Sequence, residues 1–153
     1  MVAWLNEEEH AAWRAWLRLS AELPAALNRD LAEDSELSLQ DYDVLVQLTE
    51  ADAGQLRLTA LAEAVHWEKS RLSHHLRRME ERGLITRRPC AEDGRGSFAV
   101  ATAAGRRALE QAAPGHVDAV RRNLFDALSP REVAQLGSIA SKVLTAMGDQ
   151  PSR

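Results

Sequence analysis

Lys69, Ser70, Arg71, Ser73, His74, Arg77 and Arg78 could act together, because each donates hydrogen bonds and several carry positive charge. Place the stretch Glu68–Leu84 on a helix at about 100° per residue. Leu72, Leu76 and Met79 then share a narrow apolar stripe, Ser70, His74 and Arg77 point the opposite way, and Arg71, Ser73 and Arg78 flank them. Short polar groups near the start and long cations further along suit entry into a DNA major groove. There, base edges offer hydrogen-bond partners and phosphates offer charge. Arg71 and His74 are the candidates for base edges; Ser70, Ser73 and Arg77 are the candidates for phosphates. A merely solvated helix face looks similar, so the reading depends on what surrounds it.

Other chemistries find little footing. His74 and its neighbour His75 diverge by about 100° on a helix, which makes a poor metal pair, and His75 is expected nearer the core. The chain has no glycine-rich phosphate loop, no metal-ligand spacing and no nucleophile–base pattern, so no catalytic residue, metal or cofactor is expected.

Downstream, Leu84–Arg88 reads as a strand, Pro89–Ser97 as a charged, glycine-containing loop and Phe98–Ala101 as a returning strand. A hairpin directly after such a helix is a wing. Arg95, between two glycines, can extend toward a minor groove, where negative potential favours arginine. Asp93 is close enough to brace it, and Arg87 adds a cation on the first strand. Cys90 beside this loop is the chain's one cysteine. It excludes an internal disulfide and is read as passive.

These groups need elements to hold them. Thr59 is expected to cap a short helix over Ala60–Val65, His66-Trp67 to turn, and Gly83 to end the polar-faced helix with a left-handed cap. Two short helices joined by a tight turn make a helix-turn-helix. Ser38-Leu39-Gln40-Asp41 opens the helix before them with a capping box, and Arg57-Leu58 could be a very short strand. At the chain's start, Asn6 followed by Glu7-Glu8-Glu9 begins a long helix to about Ala32, rich in Trp and Leu, that Pro24 could bend. Thr102 starts another helix, which Pro114-Gly115 is expected to bend or interrupt, and Ser129-Pro130-Arg131-Glu132 starts the last. The expected fold class is therefore mainly α with a small β-hairpin. A winged helix-turn-helix DNA-binding lobe over 38–101 is flanked by dimerisation helices over 6–32 and 103–147, all in one chain.

Composition fits that plan. The 153 residues are 45% hydrophobic, enough for a core, and no apolar run approaches the ~18 residues of a membrane span. The N-terminus lacks a secretory pattern, so a soluble cytoplasmic protein is expected. The net charge is −4, yet His66–Arg95 holds eight Lys or Arg against five acids. A basic island on an acidic body can bind phosphates locally while discouraging loose binding elsewhere.

The pattern resembles the MarR family of bacterial transcriptional regulators over nearly the whole chain. The resemblance is carried by Leu61-Ala62-Glu63, Lys69-Ser70-Arg71-Leu72-Ser73-His74, Met79-Glu80-Glu81-Arg82-Gly83-Leu84-Ile85, Asp93-Gly94-Arg95-Gly96 and Thr102-Ala103-Ala104-Gly105. It implies a homodimer built on the first and last two helices. It also implies a recognition helix in the major groove and Arg95 in the minor groove of a pseudo-palindromic double-stranded operator. Such proteins usually repress and are often released by small phenolic or other aromatic ligands. A ligand seat is then expected between the dimer helices and the DNA-binding lobe, with His10, Trp13, Trp16 and Tyr42 as candidates to line it. The sequence departs from the family pattern at His66, where glycine is usual, at Glu68, where Ser or Asp often caps, and at Ala101, where a larger apolar residue is common. A competing reading is a winged-helix module that binds an acidic protein partner without reading DNA sequence.

Overall fold

The computed structural model describes residues 4–90 and 96–148. Its elements are α1 (Glu7–Asp34), α2 (Leu39–Glu50), β1 (Gln55–Arg57), α3 (Leu58–Ala64), α4 (Lys69–Glu81), β2 (Ile85–Pro89), β3 (Ser97–Ala101), α5 (Ala103–Asn123), a 3-10 turn at Phe125–Ala127 and α6 (Pro130–Gly148). This is the mainly helical, winged-helix class expected. The hairpin β2–β3 gains a third strand, giving an antiparallel sheet in the order β1-β3-β2.

The helix starts follow their local chemistry. Asn6 and Glu9 form a reciprocal capping box on α1, and Ser38 and Asp41 form one on α2. Ser129 and Glu132 exchange hydrogen bonds at the start of α6. Three expectations fail. Thr59 does not cap α3: that helix already begins at Leu58, after Arg57, with no side-chain cap. The strand lies one step earlier than Arg57-Leu58, because Gln55, Leu56 and Arg57 pair with Val100, Ala99 and Phe98 of β3. Nor do Pro114-Gly115 interrupt α5, which runs unbroken to Asn123.

The core lies between α2, α3, α4, the sheet and the first half of α5. Val44, Leu45, Leu48, Leu61, Leu72, Leu76, Met79, Ile85 and Ala99 are all essentially inaccessible. Each such aliphatic side chain contributes roughly 1.5–3 kcal/mol on leaving water, so α4 is held firmly along its inner stripe. Gly105 lets α5 approach the strand entry: a Cβ there would lie 2.1 Å from the Leu84 carbonyl oxygen. By contrast, α6 buries no residue and α1 buries only Leu31. No helix among the described residues is long and apolar enough to cross a membrane.

Candidate nucleic-acid interface

Helix α4 sorts its side chains by face. Leu72, His75, Leu76 and Met79 are buried, and Lys69, Ser70, Arg71, His74, Arg77 and Arg78 are exposed, with Ser73 half-buried at the margin. The outward set from the sequence thus shares one face of one rigid helix. Its N-terminus carries no side-chain cap from Glu68. First-turn N–H groups there remain available to an anion, and the helix dipole favours one.

Both ends of α4 are fixed by left-handed residues. His66 has φ 55° and Gly83 has φ 72°. At the first, Trp67 N–H donates to Ala62 O at 2.9 Å and His66 N–H to Glu63 O at 3.2 Å. At the second, Leu84 N–H donates to Met79 O and Gly83 N–H to Glu80 O, both at 2.9 Å. These are paired Schellman closures. They set the angle between α3 and α4 and the direction in which β2 leaves. Histidine reaches positive φ at some cost where glycine would not.

Beneath the face lies a polar network that the sequence reading did not identify. Asp41, the return residue of the α2 capping box, receives a 2.7 Å hydrogen bond from Arg82 at the end of α4. Its other oxygen lies 2.9 Å from His75 Nε2. That second approach is a close polar contact rather than an aligned hydrogen bond, since Nε2 has no well-directed partner. Arg78 reaches His75 Nδ1 at 3.1 Å. Burial pushes the Asp41 carboxyl up, but His75, Arg82 and the Ser38 bonds outweigh it and hold the group well below the ordinary carboxylate range. The network ties α4 to the start of α2. Arg82 also donates to the Glu36 carbonyl.

Two further contacts organise the cations. The Arg71 guanidinium sits 4.5 Å from the centroid of the Trp67 ring, and Trp67 in turn meets His75 edge-on at 5.3 Å. Arg87 is not a free cation. Glu80 accepts from its Nε at 2.9 Å and from its backbone N–H at 3.1 Å, joining α4 to β2. The Arg87 bonds hold the Glu80 carboxyl below its usual value. Local spacing pointed to Arg87 as a cation, but its partner is set by how β2 returns along α4. Asp93 and Arg95 lie outside the described residues. Cys90 is buried at the base of that loop, where its N–H donates to Gly96 O at 2.8 Å.

The proposed ligand-lining residues are spread along the fold. His10, Trp13 and Trp16 are exposed on the N-terminal half of α1. Tyr42, half-buried on α2, meets His116 of α5 with ring centroids 4.3 Å apart and the planes tilted by 38°. Burial pushes the His116 pKa down against an opposing pull from Asp43, and burial raises that of Asp43 against an opposing pull from His116.

Known proteins share this fold. A profile of the MarR family matches residues 37–97, which run from before α2 to the start of β3. The chain is similar to the solved structure of AbsC, a MarR family transcriptional regulator from Streptomyces coelicolor. They share 36% identity over 97% of this chain and 100% of that one, with a TM-score of 0.88. It is also similar to Sco3205, a MarR family transcriptional regulator from the same organism solved in complex with DNA, at 39% identity over 99% of this chain and 94% of that one, TM-score 0.89. Sco5413 from S. coelicolor has the same fold at 20% identity and a TM-score of 0.80.

Proposed function

This chain belongs to the MarR family of transcriptional regulators, and on that basis we propose that it is a homodimeric repressor that reads a pseudo-palindromic operator in double-stranded DNA. The observation that carries the reading is the outward face of α4. Exposed Lys69, Ser70, Arg71, His74, Arg77 and Arg78 stand on a helix whose inner stripe is fully packed. A rigid helix presenting short polar groups and arginines can place them against bases and phosphates without ordering a loop first. Sco3205, similar along nearly the whole chain, was solved in complex with DNA, which supports DNA as the partner of this chain.

Roles divide by reach. Arg71 and His74, near the helix start, face base edges; Ser70, Ser73, Lys69, Arg77 and Arg78 hold phosphates. Arg87 acts through Glu80, carrying the wing on α4, while Arg95, with Asp93 as its brace, enters the minor groove. One winged lobe makes few phosphate contacts, and a dimer doubles them. Release by a small aromatic or phenolic ligand follows the family resemblance. The Tyr42–His116 ring contact between α2 and α5, with His10, Trp13 and Trp16 contributed by α1 of either subunit, is the proposed seat. The chain acts by binding rather than by catalysis.

The test is fluorescence anisotropy with labelled duplex DNA over a salt series. Binding should weaken steeply with salt, and Arg77→Ala should weaken it on every sequence and reduce the salt slope by about one. Salt-insensitive binding, or no binding, would point instead to a protein partner for the basic face.

A further inference from the structure

Trp67 was placed by sequence in a turn, with no role beyond linking two helices. The structure gives its ring two neighbours. One face carries the Arg71 guanidinium at 4.5 Å, and His75 abuts it edge-on at 5.3 Å. His75 is itself flanked by Asp41 Oδ1 at 2.9 Å beside one ring nitrogen and by Arg78 at 3.1 Å from the other. The ring also packs on the core cluster, and its backbone N–H closes the left-handed turn at His66. Trp67 is therefore oriented from behind by covalent geometry, by packing and by a histidine that cannot rotate freely.

Arginine on a surface helix normally samples many rotamers, and ordering it on a base costs side-chain entropy. Stacking a guanidinium on an indole restrains its plane while leaving the in-plane N–H donors unengaged. That in-plane fork is what guanine O6 and N7 accept from bidentate arginine. Arg71 lies in the first turn of α4, the part of a recognition helix that reaches base edges.

We propose that Trp67 is a positioning residue that pre-orients Arg71 for bidentate reading of a guanine. This rests on the DNA-reading function argued above. Trp67 itself touches no base; it acts on sequence preference through Arg71. A stacked, restrained guanidinium discriminates by angle, so its loss costs more on the correct base than on a phosphate, which accepts from many directions.

The test begins with selection of the preferred site from a random duplex library by the full-length wild-type protein. Anisotropy then gives affinities for that site, a scrambled duplex, and the site with 7-deazaguanine replacing single guanines. The proteins are the wild type, Trp67→Phe, Trp67→Leu, Arg71→Ala and the Trp67→Leu/Arg71→Ala double variant. Trp67→Leu should lower the preference for the selected site about fivefold with an unchanged salt slope, while Trp67→Phe, which keeps a π face, retains most of it. One 7-deazaguanine should cost the wild type affinity and cost Arg71→Ala nothing. In the Arg71→Ala background, Trp67→Leu should have no further effect on preference. If Trp67→Leu weakens selected and scrambled DNA equally, or still costs preference without Arg71, Trp67 is only a structural residue and the proposal fails. Thermal melting separates that result from unfolding, and Trp67→Phe keeps the stacking question open to refutation even if Trp67→Leu melts early. A selection that returns no preferred sequence would instead overturn the DNA-reading function, and this inference with it.

Discussion

Asp41 Oδ2 lies 2.7 Å from the Arg82 guanidinium, joining the start of α2 to the end of α4 across 41 positions of sequence. The same carboxylate closes the α2 cap through Ser38 and meets His75. One buried charge therefore serves the start of α2, the end of α4 and the inner side of α4.

Asp41→Asn tests that role. Asparagine keeps the shape and can still accept from Ser38, but it removes the charge facing Arg82 and His75. The Asp41 side chain is 3% exposed and that of Arg82 is 41% exposed, so Arg82 can turn partly to water. The expected loss is accordingly about 2–3 kcal/mol, below that for a fully buried broken pair. The pH sign follows from the depressed carboxyl. Its folded pKa lies below the unfolded value of roughly 4, so its stabilisation is complete above that range and is lost as pH falls toward the folded value. Urea titrations at fixed protein concentration should show wild type losing its advantage over Asp41→Asn on acidification. Parallel pH curves for the two proteins would show that the carboxylate does not stabilise the fold by pairing.

What was legible in the sequence was mostly local. The stripe Leu72, Leu76 and Met79 follows from helical spacing, and its burial fixes the outward direction of Ser70, His74 and Arg77. The caps at Asn6, Ser38, Thr102 and Ser129 rest on side chains that reach backbone groups three positions away. Gly83 is local too, since few other residues accept φ 72° cheaply. The failures are long-range. Strand β1 exists because β3 returns beside Gln55–Arg57, and three residues carry no periodicity of their own. That pairing fixes where the chain turns, so α3 starts at Leu58 and Thr59 never becomes its cap. Within the site, the exposed face of α4 was readable, but the partners of its cations were not. Glu80–Arg87 depends on how the strand returns along the helix. Trp67 and Arg71 are four apart, a spacing that could have suggested contact, yet the contact needs the left-handed turn at His66.

Gly105→Ala probes the join between α5 and the wing. An added Cβ would lie 2.1 Å from Leu84 O and 3.1 Å from Leu45 Cδ2, and neither a backbone carbonyl nor a packed core leucine yields cheaply. The Leu84 carbonyl also accepts from the Thr102 N–H and hydroxyl, which anchor the α5 N-cap. The expected loss is about 1–3 kcal/mol from overpacking. Gly83→Ala is the contrast: nothing lies within 4 Å of the added Cβ, leaving only the left-handed strain at φ 72°, which costs about 1 kcal/mol. Denaturant midpoints should rank wild type above Gly83→Ala, and Gly83→Ala above Gly105→Ala. A Gly105→Ala protein as stable as wild type would mean that α5 can slide off the Leu84 carbonyl without loss.

The apolar faces of α1 and α6 make the last prediction. Scattered exposed leucines are ordinary, but here they form rows. Ile139, Val143 and Met147 are spaced four apart on α6, with Leu144 beside them 66% exposed. On α1, Trp13, Trp16 and Leu17 cluster in the same way, Trp16 being 54% exposed. No residue of α6 is fully buried against its own chain, and Leu136 alone is half-buried, so packing within one subunit does not account for its stripe. A second copy placing its own α1 and α6 there would bury these rows symmetrically, as two-fold dimers do. A carboxylate in such an apolar contact would be left without a partner and costs several kcal/mol. Leu144→Glu should therefore raise the dimer dissociation constant by about a hundredfold or more. Sedimentation velocity across a concentration series should show that shift, and DNA affinity should fall with it as the second lobe is lost, while far-UV circular dichroism stays helical. If Leu144→Glu sediments as the wild type does and binds DNA equally well, α6 does not form the subunit interface, and its apolar row must be covered by something else.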